Sequence, residues 1–209
     1  MNPVKMGSKL CGIGQPVLIA FEIGPTIMGL DSALALTSIA ARAGAQAIKV
    51  QILDAARLVG DSSLPVSWTD ADGVVISEEM IAVLGRRALL RAEWLEVARA
   101  VHAAGLLFFA TVDYPETLAI ACEAGADALK VCSGDITYLA WIEEMAQTGV
   151  AMMVDTGNAG IGEVEAAVEA CAKAGNRSII THVCPSGYPG RLESINLRLI
   201  STLRQMFPE

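Results

Sequence analysis

Positive charge is scarce in this chain: 15 Lys and Arg stand against 23 Asp and Glu, a formal net charge of −8. The lack of a broad positive field to neutralise phosphates argues against a nucleic-acid surface or an anionic-membrane surface, although a few local lysines can still hold a small anion. No apolar run approaches the roughly 18–20 residues of a membrane-spanning helix. The mean hydropathy of +0.48 therefore reads as a thick core. Residues 1–15 lack the long apolar stretch of a secretory signal, so cytoplasm is the expected compartment. The 5 cysteines are odd in number and contain no C-x-x-C pair, which excludes a complete disulfide frame and fits reduced thiols better than a zinc site. Cys122 and Cys171 fall in Ala-rich helical segments and are expected in the core. Cys132 and Cys184 fall near strand ends, with no histidine evidently paired to activate either as a nucleophile. No G-x-G-x-x-G follows the first strand, which weakens a dinucleotide-binding reading.

Hydrophobic residues, by contrast, make up 53% of the 209 positions and charged residues only 18%. That is ample for a single domain spanning 1–209. One rhythm runs through it: helix, glycine stop, short apolar strand, polar turn. The stops are Gly44, Gly105, Gly125, Gly149 and Gly175, each placed as a residue just past a helix end. Strands are expected at Val17–Ile23, Ala47–Gln51, Leu106–Thr111, Ala128–Cys132, Ala151–Asp155 and Ser178–Val183. Helices are expected at Asp31–Ala43, Arg91–Ala104, Pro115–Glu123, Leu139–Gln147, Gly162–Ala174 and Ile195–Met206. The strands are apolar on both faces, as parallel strands covered on both sides must be. The rhythm breaks only at 52–90. There Val66–Thr69 and Val74–Ser77 flank an Asp70–Gly73 turn, a hairpin signal, and a helix over Glu78–Leu90 is expected to follow. Such an excursion reads as a lid or as a decorative insertion. The fold class is therefore α/β, of the (β/α) TIM-barrel type, with about six βα units. A complete barrel needs eight units and about 250 residues, so the last two strands are expected to be absent and the edges open. Exposed edges and a high apolar content imply a homo-oligomer.

The most informative stretch is Lys130-Val131-Cys132-Ser133-Gly134-Asp135. Its lead-in, Ala124-Gly125-Ala126-Asp127-Ala128-Leu129-Lys130, echoes Ala43-Gly44-Ala45-Gln46-Ala47-Ile48-Lys49. Two lysines are thus delivered to one rim of a parallel sheet, where such folds keep their chemistry. The other strand ends contribute Glu22, Gln51, Thr111 and Asp113, Ser133 and Asp135, Asp155 with Thr156 and Asn158, and His182, Ser186 and Tyr188. Taken singly, each has a structural reading: lysines snorkel, while Asp, Ser and Thr cap helices. Asp135 in particular reads as the N-cap of a helix beginning near Ile136. Taken together, two ammoniums, hydroxyls and helix N-termini make a site for phosphate or carboxylate. A carboxylate inside a run as apolar as Leu18–Gly24 needs a partner or a cavity, which singles out Glu22.

With these residues in hand, the chain resembles the sialic acid synthase family, including the pseudaminic and legionaminic acid synthases and spore-coat polysaccharide relatives. The matching stretches are Phe21–Gly24, Ile48–Gln51, Leu84–Leu89, Phe108–Thr111, Lys130–Thr137, Asp155–Gly157 and Tyr188-Pro189. The resemblance implies a transferase that condenses phosphoenolpyruvate with an N-acyl-hexosamine-type amino sugar to give a nonulosonic acid. It implies that Lys49, Thr111, Lys130 and Ser133 hold phosphoenolpyruvate and that Gln51 shapes the sugar side. Glu22 would then handle protons or orient water. Lys130 is assigned a catalytic as well as a binding role, and Asp135, Asp155, Ser186 and Tyr188 complete the expected substrate contacts. A divalent metal (Mn or Mg) that polarises the aldehyde is implied as well.

Three departures from the family pattern bear on this. The N-H-N-G turn expected after strand one is replaced by Pro25-Thr26-Ile27-Met28-Gly29. The S-T-G on strand five has become Asp155-Thr156-Gly157, a carboxylate where a phosphate-binding hydroxyl is usual. On strand six, alignment on Tyr188 shifts His182 one place off register, toward the other face. The two strands that carry the family's metal-binding histidines are absent, so no metal ligands are assigned. Of the 2 histidines, His102 reads as a surface helix residue. A partnership of His182 with Asp155 or Asp113 stays open. Two other readings remain: a non-catalytic or partner-dependent relative that keeps only the anion-binding half of the site, and an aldolase forming a Schiff base on Lys49 or Lys130.

Overall fold

The computed structural model describes residues 3–24, 26–185, 187 and 190–207. The chain opens with β1 (Val4–Met6) and β2 (Lys9–Cys11), followed by β3 (Ala20–Glu22), α1 (Leu30–Arg42), β4 (Ala47–Ile52) and α2 (Ala55–Leu58). Next come β5 (Pro65–Thr69), β6 (Val75–Glu79), α3 (Met80–Gly85), α4 (Arg91–Ala103), β7 (Leu107–Val112), α5 (Pro115–Glu123) and β8 (Ala128–Val131). The remainder is α6 (Leu139–Gln147), β9 (Ala151–Asp155), α7 (Ile161–Lys173), β10 (Ile179–His182) and α8 (Leu199–Met206). Six strands form one parallel sheet in the order β10-β9-β8-β7-β4-β3. This is a curled half-barrel whose edge strands β3 and β10 are unpaired on their outer sides among the described residues. The helices between strands are those the periodicity implies. Gly44, Gly105, Gly125, Gly149 and Gly175 all take positive φ, 70° to 88°, which glycine adopts without the steric cost other residues meet.

The sheet's two faces differ in kind. On the outer face Ile48, Val50, Phe108, Ala110, Leu129, Val131, Met152 and Val154 are buried against the helices, into which α4 sends Trp94, Val97 and Val101 and α6 sends Trp141, Ile142 and Met145. Those three- and four-residue spacings are the buried stripe of an amphipathic helix. On the inner face Ala47, Leu107, Phe109, Ala128, Ala151 and Met153 form a smaller apolar floor, closed by Met6 of the β1–β2 hairpin. That plug is tight: a Cβ on Gly7 (φ +51°) would fall 2.0 Å from an Asp127 carboxylate oxygen. Asp127 also accepts the Phe108 N–H (2.8 Å) and pairs with His102 (3.1 Å), so His102 is half-exposed yet tied down at the N-terminal end of the strands. The hairpin plug is absent from the βα pattern because two three-residue strands carry no periodicity to detect.

Several local expectations change. The excursion does hold a hairpin, closed at Asp70 by a Gly73 with φ +82°. The helix after it begins only at Met80, because strand pairing of Pro65 with Glu79 and Val66 with Glu78 keeps those positions extended. It stops at Gly85, well short of Leu90. The last helix starts at Leu199 rather than Ile195, after a short 3-10 turn over Leu192–Ser194. Cys122 is exposed on α5 instead of packed in the core, whereas Cys171 is buried as expected. Asp135 is not an N-cap. It ends a 3-10 turn, Ser133–Asp135, and helix α6 starts four residues later at Leu139. No helix among the described residues is long and apolar enough to cross a membrane.

Candidate functional site

The polar rim is a consequence of strand register. The ladder pairs Glu22 with Lys49, then Gln51 with Thr111 and Thr111 with Lys130, and at the far edge Asp155 with His182. Side chains alternate along a strand, so Lys49, Gln51, Thr111, Lys130 and Asp155 all face inward, above the apolar floor. Lys49, Thr111 and Asp155 are buried, at 5%, 2% and 5% exposure. Six of the residues expected to make the site are therefore brought together: Glu22, Lys49, Gln51, Thr111, Lys130 and Asp155. Ser133 joins them from the turn after β8, its Oγ accepting the Gly157 N–H at 3.2 Å. Ser186 and Tyr188 lie outside the described residues.

Both lysines are already paired. Lys49 Nζ lies 2.6 Å from Glu22 Oε2, and the other oxygen of that carboxylate accepts the Gly24 N–H at 3.0 Å. Burial pushes the Glu22 carboxyl up and the Lys49 ammonium down, each against its partner's pull. Lys130 meets Asp155, whose second oxygen contacts His182 Nδ1 at 3.0 Å. Here burial loses. Although it would raise the Asp155 carboxyl, His182 and Lys130 hold it below the usual carboxylate value, and Asp155 in turn holds Lys130 above the usual ammonium value. His182 is thus on the inner face with Asp155, not turned toward the other face, because it stands opposite Asp155 in the β9–β10 register. Thr156 fixes that corner, donating its hydroxyl to the His182 carbonyl at 2.8 Å.

A third group stands beside these pairs. The Thr111–Lys130 register, continued by two residues, sets Asp113 opposite Cys132, and the turn after β8 returns Asp135 to the same place. One ligand atom from each of Asp113, Cys132 and Asp135 lies within 4.8 Å of the others. Burial, reinforced by the Asp135 charge, raises the Asp113 carboxyl to about 6. Burial also raises the Asp135 carboxyl and the Cys132 thiol. Strand-end reading had found Asp113 and Asp135 separately; the missing signal was the register that makes them neighbours. Two carboxylates and a thiol suit a divalent transition ion. The described histidines do not meet: His102 is bound at the other end of the strands and His182 is bound to Asp155.

From Lys130 and Asp155 a cavity of about 640 Å³ extends toward the open edge. Its walls are Val4 of the plug, Ile180 and His182 of β10, and Leu203 and Phe207 at the C-terminal helix.

A model of the NeuB family matches residues 36–209. The spore coat polysaccharide biosynthesis protein SpsE of Bacillus subtilis is 30% identical over 211 aligned residues, covering 100% of this chain and 55% of that protein. An N,N'-diacetyllegionaminic acid synthase of Campylobacter jejuni is 26% identical, covering 92% of this chain and 58% of its own length. The chain thus spans just over half the length of these relatives. A crystal structure of sialic acid synthetase from Leptospira borgpetersenii superposes with a TM-score of 0.84 at 26% identity, covering 99% of this chain and 67% of that one. A phospho-2-dehydro-3-deoxyheptonate aldolase of Thermotoga maritima, at 12% identity and a TM-score of 0.70, shares the fold.

Proposed function

Because the chain belongs to the NeuB family, we propose that it forms the phosphoenolpyruvate-holding part of a sugar-acid synthase. The observation that carries this reading is the convergence of Lys49, Lys130, Thr111 and Ser133 on one inner rim. In this reading the two ammoniums hold the phosphate and carboxylate of phosphoenolpyruvate, and the Thr111 and Ser133 hydroxyls orient it. C3 of phosphoenolpyruvate forms the new bond to the aldehyde carbon of an open-chain N-acyl-hexosamine-type sugar. Water adds at C2 and phosphate leaves, giving a nonulosonic acid. Glu22, next to Lys49, orients that water or takes its proton, and Gln51 lies toward the sugar. A divalent ion, when bound, polarises the aldehyde; in this chain Asp113, Cys132 and Asp135 are the residues suited to hold one. Exposed apolar residues along both open edges, Val17 and Ile19 before β3 and Leu197 and Ile200 by α8, support self-association. The five free cysteines suit a cytoplasmic setting. Calorimetry with phosphoenolpyruvate tests the site: binding heat that Lys49→Met and Lys130→Met abolish is expected, and absence of heat with the folded chain refutes it.

One observation favours a second reading. Both ammoniums are neutralised by the chain's own carboxylates, and Asp155 occupies the place of an anion-binding hydroxyl. A relative that is non-catalytic, or active only with a partner, fits this arrangement, and turnover of phosphoenolpyruvate by this chain alone would exclude it. The burial that depresses Lys49 also suits a Schiff-base aldolase. Borohydride trapping with a keto acid that leaves both lysines unmodified disposes of that alternative.

A further inference from the structure

We infer that Asp113, Cys132 and Asp135 form a binding site for one divalent transition-metal ion. Two segments build it. Thr117 Oγ1 accepts the N–H groups of Asp113 (3.3 Å) and Tyr114 (3.2 Å), which fixes the strand-to-helix turn carrying Asp113. Across from it, the Asp135 N–H donates to the Cys132 carbonyl at 3.0 Å, so a 3-10 turn brings the two side chains to one side at a three-residue spacing. The three ligand atoms are within 4.8 Å of one another and each residue is partly buried.

Two features of the chain bear on what this site would hold. The first is charge. Lys49 and Lys130 are spent on Glu22 and Asp155, while among the described residues neither the Asp113 nor the Asp135 carboxylate has an ion-pair or hydrogen-bond partner. Lys49 and Lys130 offset the Asp113 charge only in part, since burial and Asp135 still hold its carboxyl above the ordinary value, and two carboxylates beside each other in a half-buried site are unfavourable unless a proton or a cation intervenes. The second is Thr111, only 2% exposed, whose Oγ1 is buried without a hydrogen-bond partner. It stands two residues before Asp113 on the same strand face, leaving on that face an unsatisfied oxygen for which a water or other ligand atom bound there would be the partner. Ligand bonds of about 2.0–2.3 Å require the three atoms to close by about 1 Å or a little more from their widest separation, within the reach of side-chain rotation. A mixed oxygen and thiolate set selects zinc, cobalt or iron over magnesium or calcium.

The test uses the metal-free full chain and the ions alone. Titration with Co²⁺, followed optically, is expected to give one ion per chain and a thiolate-to-cobalt charge-transfer band; calorimetry with Zn²⁺ is expected to give the same stoichiometry. Cys132→Ser removes the band, and Cys132→Ser and Asp113→Asn each weaken Zn²⁺ binding at least tenfold. Cys122→Ser, on the exposed side of α5, leaves both unchanged. Should a variant fail to fold, alkylation of the wild-type chain gives the same answer: Zn²⁺ protects Cys132 and not Cys122. No ion bound by the folded chain, a band that survives Cys132→Ser, or Cys132 unprotected would each overturn the assignment. Because phosphoenolpyruvate is absent throughout, this outcome is independent of the proposed function.

Discussion

Replacing Asp155 by serine isolates the most consequential feature of the rim. Asp155 holds Lys130 from a position only 5% exposed, with His182 on its other oxygen. An incoming phosphate must therefore share Lys130 with a carboxylate, or displace it. Two like unit charges about 4 Å apart repel by about 4 kcal/mol at an effective dielectric constant near 20. Reorganisation, and the cost of leaving Lys130 unpaired in the free protein, will absorb part of this. A net gain of about 2 kcal/mol, roughly 30-fold tighter binding, is the expected scale for Asp155→Ser. The same substitution leaves a largely buried ammonium without its counterion, which costs about 3–5 kcal/mol in the free protein. The variant should thus melt earlier without ligand and regain more stability than wild type when phosphoenolpyruvate or inorganic phosphate is added. Calorimetry at neutral pH and thermal melts with and without ligand read both effects. A folded Asp155→Ser chain that binds phosphate no better than wild type would refute the view that Asp155 competes for the anion site.

The acid side of the stability curve should carry the same signature. The Asp155 carboxyl is held below its ordinary value of 3.8. Its contribution is therefore complete well above that value and is lost as pH falls through 3.8 and then through the folded value. Asp155→Asn flattens that limb in denaturant melts across the acid range, and an unchanged limb would argue against the pairing. Gly24→Ala places a Cβ 2.7 Å from the Gln51 backbone nitrogen. Separation of β3 from β4 should displace Glu22 from Lys49 and weaken anion binding even where the chain still folds, as ligand titration would reveal. Phe108→Ala, at a fully buried outer-face position, should cost about 3–5 kcal/mol in urea unfolding. Asp113→Asn removes a carboxyl raised to about 6, so the metal-free chain should be stabilised by up to about 3 kcal/mol, a gain read by urea titration.

Much of this protein was legible before any coordinates. Glycines at helix ends, apolar runs of strand length and helical periodicity are local signals, and they found every strand of the parallel sheet, the first starting three residues later than expected at Ala20, and most helix boundaries to within a residue or two. They also placed Lys49 and Lys130 on one rim, because a lysine five residues past a helix-terminating glycine must fall near the end of the next strand. Where local reading failed, a tertiary constraint had overridden it. Pairing within β5–β6 delays the helix after the hairpin, and a 3-10 turn displaces Asp135 from its expected cap. The short β1–β2 plug has no sequence period at all.

The strand order and its register were decided only in three dimensions, and register determines the chemistry. Sequence spacing could say that Asp155, His182, Asp113 and Cys132 lie near strand ends. It could not say that Asp155 would sit between Lys130 and His182, or that Asp113 would stand opposite Cys132 with Asp135 folded back beside them. The sequence by itself determined a parallel βα fold with two lysines, hydroxyls and carboxylates at one rim. The tertiary structure decided which charges cancel and which are left over, because Coulomb energies depend on distances that only the pairing of the strands can set.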